Sequence, residues 1–393
     1  MKIFHTLLSC IVMVLWTSQD ASSQFRAEDL PYCPDVLTMQ NGQKILSARS
    51  WEEKRRPEIL ELFRENVYGN LQLDFDSLST QLVSMEETDP DMKTIFKHII
   101  IQVYRNSNRI SFNVLMYLPA DMEKPCPAFL LINHRTLSDF NAENAMIGDY
   151  WPADKLVRNG FAAILINSND VAADNNEHFS ESLLQKLYPE ELAKVDGMRT
   201  ISAWAWGASR VMDYLETDPA IDHSRVALVG HSRSGKTALW CGANDQRFRL
   251  IISNNSGNSG AALSRRSVGE SVQQINQNFP YWFCDNYKKY NNTVDDLPVD
   301  QHMLLSLIAP RALYVASASE DEWADPLGEF LSLNMAVPVY KLYFPLMETL
   351  DYPADYETHS SGQIAYHMRK GKHALTEYDW DRYIRFFKSL ENQ

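Results

Sequence analysis

Residues 226–240 read VALVGHSRSGKTALW, and this segment decides the fold. An apolar run over 226–229 leads into Gly230-His231-Ser232, and a helix-forming sequence begins directly after the serine. Strand, sharp turn and helix in this order are typical of a nucleophile elbow, where small residues flank the serine because larger side chains would collide. Such a turn lifts the hydroxyl above the sheet. The segment therefore predicts Ser232 as a nucleophile.

The match to the elbow pattern is incomplete. The usual second glycine is Ser234 here, and Gly235 follows one position later. The spacing from Gly230 to Gly235-Lys236-Thr237 also satisfies a phosphate-binding Walker loop. Two observations favour the elbow over the Walker loop. The segment comes late in the series of strands, and other parts of the chain supply catalytic partners for a serine. An ordinary loop between strand and helix is the remaining alternative.

A serine hydroxyl is a weak nucleophile until a base takes its proton, and an acid must orient that base. In hydrolases with this elbow the chain order is serine, acid, histidine. The apolar run 312–316 is followed by an acidic loop, and two histidines come near the C-terminus. The candidates are Asp321, with Glu320 as the alternative acid, and His373, with His367 as the alternative histidine.

Strand and helix patterns alternate along most of the chain. Short continuous apolar runs are typical of strands in a parallel sheet that helices cover on both faces. We therefore predict one three-layer α/β domain over residues 25–393, with a mostly parallel central sheet and an N-terminal helix and strand pair within about residues 25–120. Strands are predicted over 96–104, 110–118, 128–132, 162–166, 226–229, 250–253, 312–316 and 339–344, and helices over 51–68, over 196–215 and after His373.

The composition and the N-terminus indicate an exported globular enzyme. The net charge of −14 disfavours nucleic acid and anionic membranes as partners. Lys2, an apolar run over 4–16 and small polar residues over 17–24 follow the order of a signal peptide, so we predict its removal and a secreted or periplasmic monomer. A membrane anchor is the alternative, although the apolar run is shorter than the roughly 20 residues that a spanning helix needs.

Four cysteines remain after removal of residues 1–24. An oxidising compartment would allow two disulfides among them, and four partly buried thiols are an equal alternative. No cysteine or histidine pattern has zinc-ligand spacing, so we expect neither a metal site nor a cofactor. The four cysteines are Cys33, Cys126, Cys241 and Cys284.

Other stretches of the chain resemble the glucuronoyl esterases, carbohydrate esterase family 15. These stretches are SGAALSRR, PYWFCDNYKKY, LPVDQH, IAPRALYVAS, EDEWADPLGEF and GKHALTEYDW, and with the serine segment they occur in family order. The resemblance implies an α/β-hydrolase fold and hydrolysis of the ester that joins 4-O-methylglucuronic acid of xylan to lignin alcohols. It implies glucuronoxylan, or another lignin–carbohydrate ester, as the substrate.

The resemblance also implies roles for individual residues. Ser232 is the nucleophile, His373 is the general base, and Arg233 lies at the oxyanion, where a guanidinium stabilises the charge of the tetrahedral intermediate. A lysine in the first turn of a helix opposes the helix dipole, which favours a functional role for Lys236. The implied sugar contacts are Lys236, Glu270 and Trp323, with simple packing as the alternative for Trp323.

Two features depart from the family pattern. Many members carry the triad acid as a glutamate where this chain has Asn255, and an asparagine cannot balance an imidazolium, so the acid must come from the loop that holds Asp321. Residues 132–136, INHRT, stand where the oxyanion loop often has glycine, which leaves the second backbone donor open. A xylan acetyl or feruloyl esterase, and a non-catalytic carbohydrate-binding relative, remain alternative functions.

Overall fold

The computed structural model describes residues 32–71, 73–89, 94–121, 125–137 and 148–391. The predicted signal peptide, residues 1–24, lies outside these ranges. The strands are β1 Ser77–Asp89, β2 Thr94–Arg105, β3 Asn108–Pro119, β4 Cys126–Asn133, β5 Ala162–Asn167, β6 Ile221–His231, β7 Leu250–Asn254, β8 Ala312–Ala318, β9 Thr358–Ser361 and β10 Ile364–Arg369. The α-helices are α1 Ala48–Ser50, α2 Arg56–Phe63, α3 Ala153–Arg158, α4 Leu183–Leu187, α5 Thr200–Leu215, α6 Arg233–Asn244, α7 Val272–Asn278, α8 Gln301–Ser306, α9 Pro326–Lys341 and α10 Glu377–Leu390.

The described strands form one sheet in the order β1-β2-β3-β5-β4-β6-β7-β8-β10-β9. Six neighbouring strands run parallel to one another, namely β5, β4, β6, β7, β8 and β10. The strands outside them, β1 to β3 on one side and β9 on the other, pair antiparallel. The carboxyl ends of β6, β8 and β10 therefore meet at one edge of the sheet.

Helices cover both faces of the parallel strands. On one face, Phe129 of β4 packs against Phe387 of α10 with ring centroids 5.5 Å apart. On the other face α6 lies so close to the sheet that a Cβ on Gly242 would stand 2.5 Å from Ile251 Cγ1 of β7. The predicted three-layer α/β architecture is confirmed, and the lead-in residues 48–68 are helical, with π-helical turns at Trp51–Arg55 and Arg64–Tyr68.

Two predictions about local structure were wrong. Residues 339–344 resemble a strand, but α9 continues to Lys341 and turns follow it. Tertiary packing overrides the β-propensity of this segment, since Val339 and Tyr340 are buried and the Tyr340 hydroxyl donates to the Arg311 carbonyl at 3.0 Å. The helix predicted from residue 196 begins at Thr200. The sequence pattern also missed the long edge strand β1, because that strand is mostly polar and exposed.

The four cysteines of the described ranges are free thiols, so the alternative of two disulfides was wrong. Burial raises the pKa of the Cys126 and Cys284 thiols to about 11, which makes them unreactive at neutral pH. Within the part of the chain that the structure describes, no helix combines the length and apolar character needed to cross a membrane.

Candidate active site

Ser232 occupies a strained turn between β6 and α6. Its backbone has φ 58° and ψ −125°, a conformation that L-residues rarely adopt. The turn is so tight that a Cβ on Gly230 would lie 1.9 Å from the Ser234 carbonyl oxygen. The Ser232 side chain does not cap α6, so its hydroxyl is not tied to the helix that follows. This geometry matches the predicted elbow.

The structure explains why serine stands where the elbow pattern has its second glycine. The Ser234 side chain is buried, and its Oγ lies 2.8 Å from Nδ1 of His134 at the end of β4. A Cβ on Gly235 would instead lie 2.8 Å from Ser256 Cβ, so the close approach of a neighbouring loop requires glycine one position later. The Walker alternative is disfavoured, since Lys236 Nζ points to the carbonyl oxygens of that loop.

Asp321 and His373 lie together at the edge of the sheet that carries Ser232. Asp321 follows β8 and His373 follows β10, and these strands are parallel neighbours. His373 Nδ1 is 2.6 Å from Asp321 Oδ2, and the aspartate side chain is only 5% exposed. Main-chain hydrogen bonds from Ser319 N to Arg369 O and from Glu320 N to Gly371 O join the two loops. The carboxylate can therefore orient the imidazole.

The two alternative triad residues lie elsewhere. His367 is fully buried within β10, where Nε2 is 2.8 Å from Asp379 Oδ1 and Nδ1 is 3.0 Å from the Tyr314 hydroxyl. Glu320 is exposed, and within the described residues its carboxylate does not contact His373. The geometry thus favours the Asp321–His373 pair over either alternative.

His231 brings the His373 imidazole next to the elbow. The ring centroids of these two histidines are 4.6 Å apart, and His231 directly precedes Ser232. His231 Nδ1 is 2.7 Å from Asn254 Oδ1, and burial lowers the pKa of this imidazole well below its ordinary value. His231 is therefore neutral, which matters because a charged neighbour would oppose the positive charge that His373 acquires as a base.

Arg233 is held on two sides. Its Nη1 donates to Asp174 Oδ2 in an ion pair, and its guanidinium lies 4.8 Å from the Trp282 ring centroid. Asp174 Oδ1 in turn accepts hydrogen bonds of 2.9 Å from the Tyr281 hydroxyl and from Trp282 Nε1. A carboxylate that receives three donors and an aromatic face together restrict the guanidinium to one orientation.

An unpaired donor and the start of a helix lie beside the nucleophile. Within the described residues, Arg233 Nε is buried without a hydrogen-bond partner. Ser232 precedes the first turn of α6, whose free N–H groups and dipole favour an anion at this point. These donors suit the oxyanion of a tetrahedral intermediate, which develops next to the serine Oγ.

His134, which contacts Ser234 next to the nucleophile, is uncharged. Burial, together with the neighbouring Arg233 and Arg135, lowers the pKa of His134 to about 3. The Arg135 guanidinium lies 3.6 Å from the Tyr150 ring centroid. His134 and Arg135, directly after β4, are therefore each held by a side-chain contact.

Lys236 and Glu270 form a buried polar pair behind the elbow. Lys236 is 4% exposed, and its Nζ donates to Ser256 O at 2.5 Å and to Asn258 O at 2.7 Å. The Glu270 carboxylate is 3.8 Å from the same Nζ. Burial lowers the pKa of Lys236, and Glu270 opposes that shift. Two of the three lysine protons are thus used within the protein, and the third faces Glu270.

Trp323 lies on the surface next to this pair. The residue is 51% exposed, and its carbonyl oxygen accepts a hydrogen bond of 3.0 Å from Glu270 N. A half-exposed indole contributes little to a core, so the packing alternative for Trp323 is disfavoured. The structure brings Lys236, Glu270 and Trp323 together, and their contact with a sugar stays a prediction.

Asn255, where the resemblance leads us to expect a glutamate, makes a structural contact. Its Nδ2 donates to Ala374 O, directly after His373, at 3.1 Å, and its backbone has a positive φ of 45°. Its Oδ1 is buried without a partner among the described residues. This side chain therefore contacts the histidine loop but offers the imidazole no charge.

Sequence reasoning missed Asp174 and Glu329. Asp174 comes soon after β5, at the same edge as the elbow, so its place after a buried strand could have indicated it. Glu329 is hidden in an apolar helix, α9, where its Oε1 accepts hydrogen bonds from Ser256 N at 2.7 Å and Gly257 N at 2.9 Å. It supports the loop that holds Asn255 and receives Lys236, and no local pattern reveals that contact.

Comparison with known proteins gives consistent results. A family model described as glucuronyl esterase, fungi, matches residues 101–343. Carbohydrate esterase MZ0003 from an unknown prokaryotic organism is 38% identical over 387 residues, covering 90% of this chain and 88% of that protein. The glucuronoyl esterase from Solibacter usitatus superposes with a TM-score of 0.81 at 35% identity, covering 92% of this chain and 98% of that one. A promiscuous CE15 esterase from a marine bacterial metagenome has a TM-score of 0.81 at 37% identity, with 91% and 96% of the two chains covered.

Proposed function

Because the chain belongs to the glucuronoyl esterase family, carbohydrate esterase family 15, we propose that it hydrolyses glucuronoyl esters of xylan through a covalent Ser232 intermediate. Its substrate is the ester between a 4-O-methylglucuronic or glucuronic acid side group and a lignin alcohol. The observation that carries this proposal is the hydrogen bond of 2.6 Å between His373 and Asp321, which lies at the same sheet edge as the strained Ser232.

Acylation begins when His373 Nε2 takes the proton of the Ser232 hydroxyl. The serine Oγ attacks the ester carbonyl carbon, and the negative charge moves to the carbonyl oxygen, where Arg233 and the N–H groups at the start of α6 stabilise it. Asp321 holds Nδ1–H of His373 and stabilises the imidazolium. The carbon–oxygen bond to the alcohol then breaks, and His373 gives its proton to the departing alcohol.

Deacylation repeats these steps with water. His373 takes a proton from water, the hydroxide oxygen attacks the acyl carbon, and the serine leaves with the proton returned by His373. The product is a uronic acid, which loses its proton to solvent at neutral pH and becomes a uronate anion. The net charge of −14 on the protein opposes retention of this anion and so favours its release.

The sugar ring occupies the surface next to Trp323. The exposed indole offers an apolar face to the ring, and the Glu270 carboxylate accepts hydrogen bonds from ring hydroxyls. Lys236 fixes Glu270 and the Ser256–Asn258 loop, and its proton nearest Glu270 is available to a ring oxygen. Because the acid of the substrate is esterified, this subsite recognises a neutral sugar through hydroxyl groups.

The test compares two esters with the chain that begins at residue 25. Hydrolysis of benzyl glucuronate is measured against p-nitrophenyl acetate, with Ser232→Ala as the inactive control and benzyl galacturonate as a ring-epimer control. We expect kcat/KM on the glucuronate to exceed that on the acetate by about a hundredfold, equivalent to about 2.7 kcal/mol of transition-state stabilisation. Turnover of the acetate alone, or equal turnover of both epimers, would contradict the proposed substrate.

A broader ester specificity is the second candidate function. It is favoured by the similarity to a marine enzyme described as promiscuous. The same nucleophile, base and acid would then cleave acetyl or feruloyl esters of xylan. The galacturonate and acetate controls separate the two candidates, because a promiscuous enzyme accepts both.

The enzyme acts outside the cytoplasm as a monomer. The charge and hydropathy pattern of residues 1–24 supports export, either to the periplasm or to the medium. Fractionation of cells that produce the full chain, with Ser232-dependent esterase activity as the readout, tests this location.

A further inference from the structure

The loop that carries His373 surrounds one guanidinium. Arg369 ends β10, and its Nη1 donates to Lys370 O at 3.0 Å. Its Nη2 donates to Lys372 O at 2.9 Å and to Ala374 O at 3.1 Å. These three carbonyl groups flank His373 on both sides along the chain, so the guanidinium contacts the main chain before and after the imidazole.

The guanidinium is itself anchored from below. Arg369 is 7% exposed, and its Nε forms an ion pair, without a hydrogen bond, with Oδ2 of Asp379 at 3.3 Å; Asp379 is 1% exposed. Asp379 Oδ2 accepts hydrogen bonds of 2.7 Å from Thr376 N and Oγ1 at the start of α10, and its Oδ1 lies 2.8 Å from His367 Nε2. A carboxylate with this many donors is a rigid support for the arginine.

A second group contacts the same carbonyl. Asn255 Nδ2 donates to Ala374 O at 3.1 Å, the distance at which Arg369 Nη2 does so. The loop from 370 to 374 is therefore held from β10, from the turn after β7 and, through Glu320 N and Gly371 O, from the loop after β8. None of these contacts involves the imidazole. The His373 side chain is 42% exposed, and within the described residues its one hydrogen bond is to Asp321.

We propose that Arg369 is a positioning residue, which fixes His373 at Asp321 and beside Ser232 by binding the carbonyl groups of Lys370, Lys372 and Ala374. This role rests on the proposed ester hydrolysis, since it acts through the general base. A half-exposed imidazole with one hydrogen bond is free to move with its backbone, and loss of alignment by about 1 Å lowers a rate by about a hundredfold. The contacts explain why an arginine, with donors in a fixed fork, occupies this position.

The chain contains a matched control in Arg311. Its guanidinium also donates to three main-chain carbonyl groups, those of Asp245, Phe248 and Gly242. It precedes β8, so it lies at the opposite end of the parallel sheet from the loop that follows β10. Substitution of either arginine removes comparable contacts, but only one set of contacts adjoins His373.

The experiment compares Arg369→Ala and Arg369→Lys with Arg311→Ala and Arg311→Lys. We expect similar losses of Tm in the two alanine variants. The kcat of Arg369→Ala falls about a hundredfold with KM nearly unchanged, and that of Arg369→Lys falls only about tenfold. Both Arg311 variants keep the wild-type kcat at temperatures where they are folded. If an alanine variant does not fold, the two lysine variants carry the comparison.

A spectroscopic signature is independent of turnover. The Nδ1–H proton in the short bond to Asp321 gives a far-downfield NMR resonance, assigned by its loss in His373→Asn. This resonance broadens or disappears in Arg369→Ala and persists in Arg311→Lys. Equal kcat losses at the two arginines, an increase in KM alone, or an unchanged resonance in Arg369→Ala would overturn the proposal. Failure of the proposed substrate is seen separately, because the kinetic comparison runs on whichever ester the wild type cleaves.

Discussion

Replacement of Asp321 by asparagine is the sharpest test of the proposed triad. Within the described residues, the only side-chain hydrogen bond of this carboxylate is the one of 2.6 Å to His373, so the change spares the rest of the fold. An amide at this position removes the charge that stabilises the imidazolium. When its NH2 group faces Nδ1, it also donates to that atom and reverses the tautomer. Neither exposed Glu320 nor the Asn255 amide can replace the lost charge.

The expected loss in kcat lies between about 10³ and 10⁴, or about 4 to 5.5 kcal/mol of transition-state stabilisation at 1.36 kcal/mol for each factor of ten. The free energy of unfolding should change by less than about 1 kcal/mol, because one hydrogen bond is affected. The assay is steady-state hydrolysis of benzyl glucuronate with thermal unfolding in parallel, and Glu320→Gln is the matched control. Retention of more than a tenth of kcat in Asp321→Asn, or an equal loss in Glu320→Gln, would refute the assignment of the acid.

Three further predictions follow from the site. Asp174→Asn removes the charged partner of Arg233, so kcat should fall about 10- to 100-fold with little change in KM, and full activity would show that the ion pair does not orient the guanidinium. Trp323→Ala should raise KM for glucuronate esters roughly three- to tenfold and leave acetate hydrolysis unchanged, since an aromatic contact contributes about 0.5–1.5 kcal/mol; equal effects on both esters would exclude a sugar contact. Burial raises the pKa of Glu329 from 4.5 to about 7, so the folded state binds the extra proton and stability falls as pH rises from about 4.5 to 7. Glu329→Gln removes this dependence, so the stability of the variant relative to the wild type should increase from pH 5 to pH 8, by up to about 3 kcal/mol in the free energy of unfolding. Thermal unfolding at several pH values measures this, and a Tm difference that does not change with pH would contradict the raised pKa.

Much of the site could be predicted because its signals are local. The elbow around Ser232 is a strand, a turn and a helix in adjacent residues, and its steric demands are met by Gly230 within the same segment. Asp321 and His373 follow strands that the topology places at one sheet edge, so chain order indicated them, with Glu320 and His367 as the alternatives. The buried strands β4 to β8 were visible as apolar runs because both faces of the sheet are covered.

Other features depend on residues far apart in the chain, where no spacing rule applies. Residues 339–344 continue a helix since the core around Tyr340 accommodates one, although their side chains favour a strand. Asp174 meets Arg233 across 59 positions, and Arg369 serves His373 through carbonyl groups that carry no side-chain signature.

The sequence by itself determined the fold class, and it predicted Ser232 as the nucleophile and the chain order of the acid and the base. Only the tertiary structure favours Asp321 over Glu320 and His373 over His367, because Asp321 and His373 are hydrogen-bonded to each other, whereas His367 is buried against Asp379. It also decided that Lys236 points to main-chain carbonyl groups and that Asn255 holds the histidine loop. Periodicity specifies which face of an element is buried, whereas the partner that a polar group finds on that face is set by the packing of distant segments.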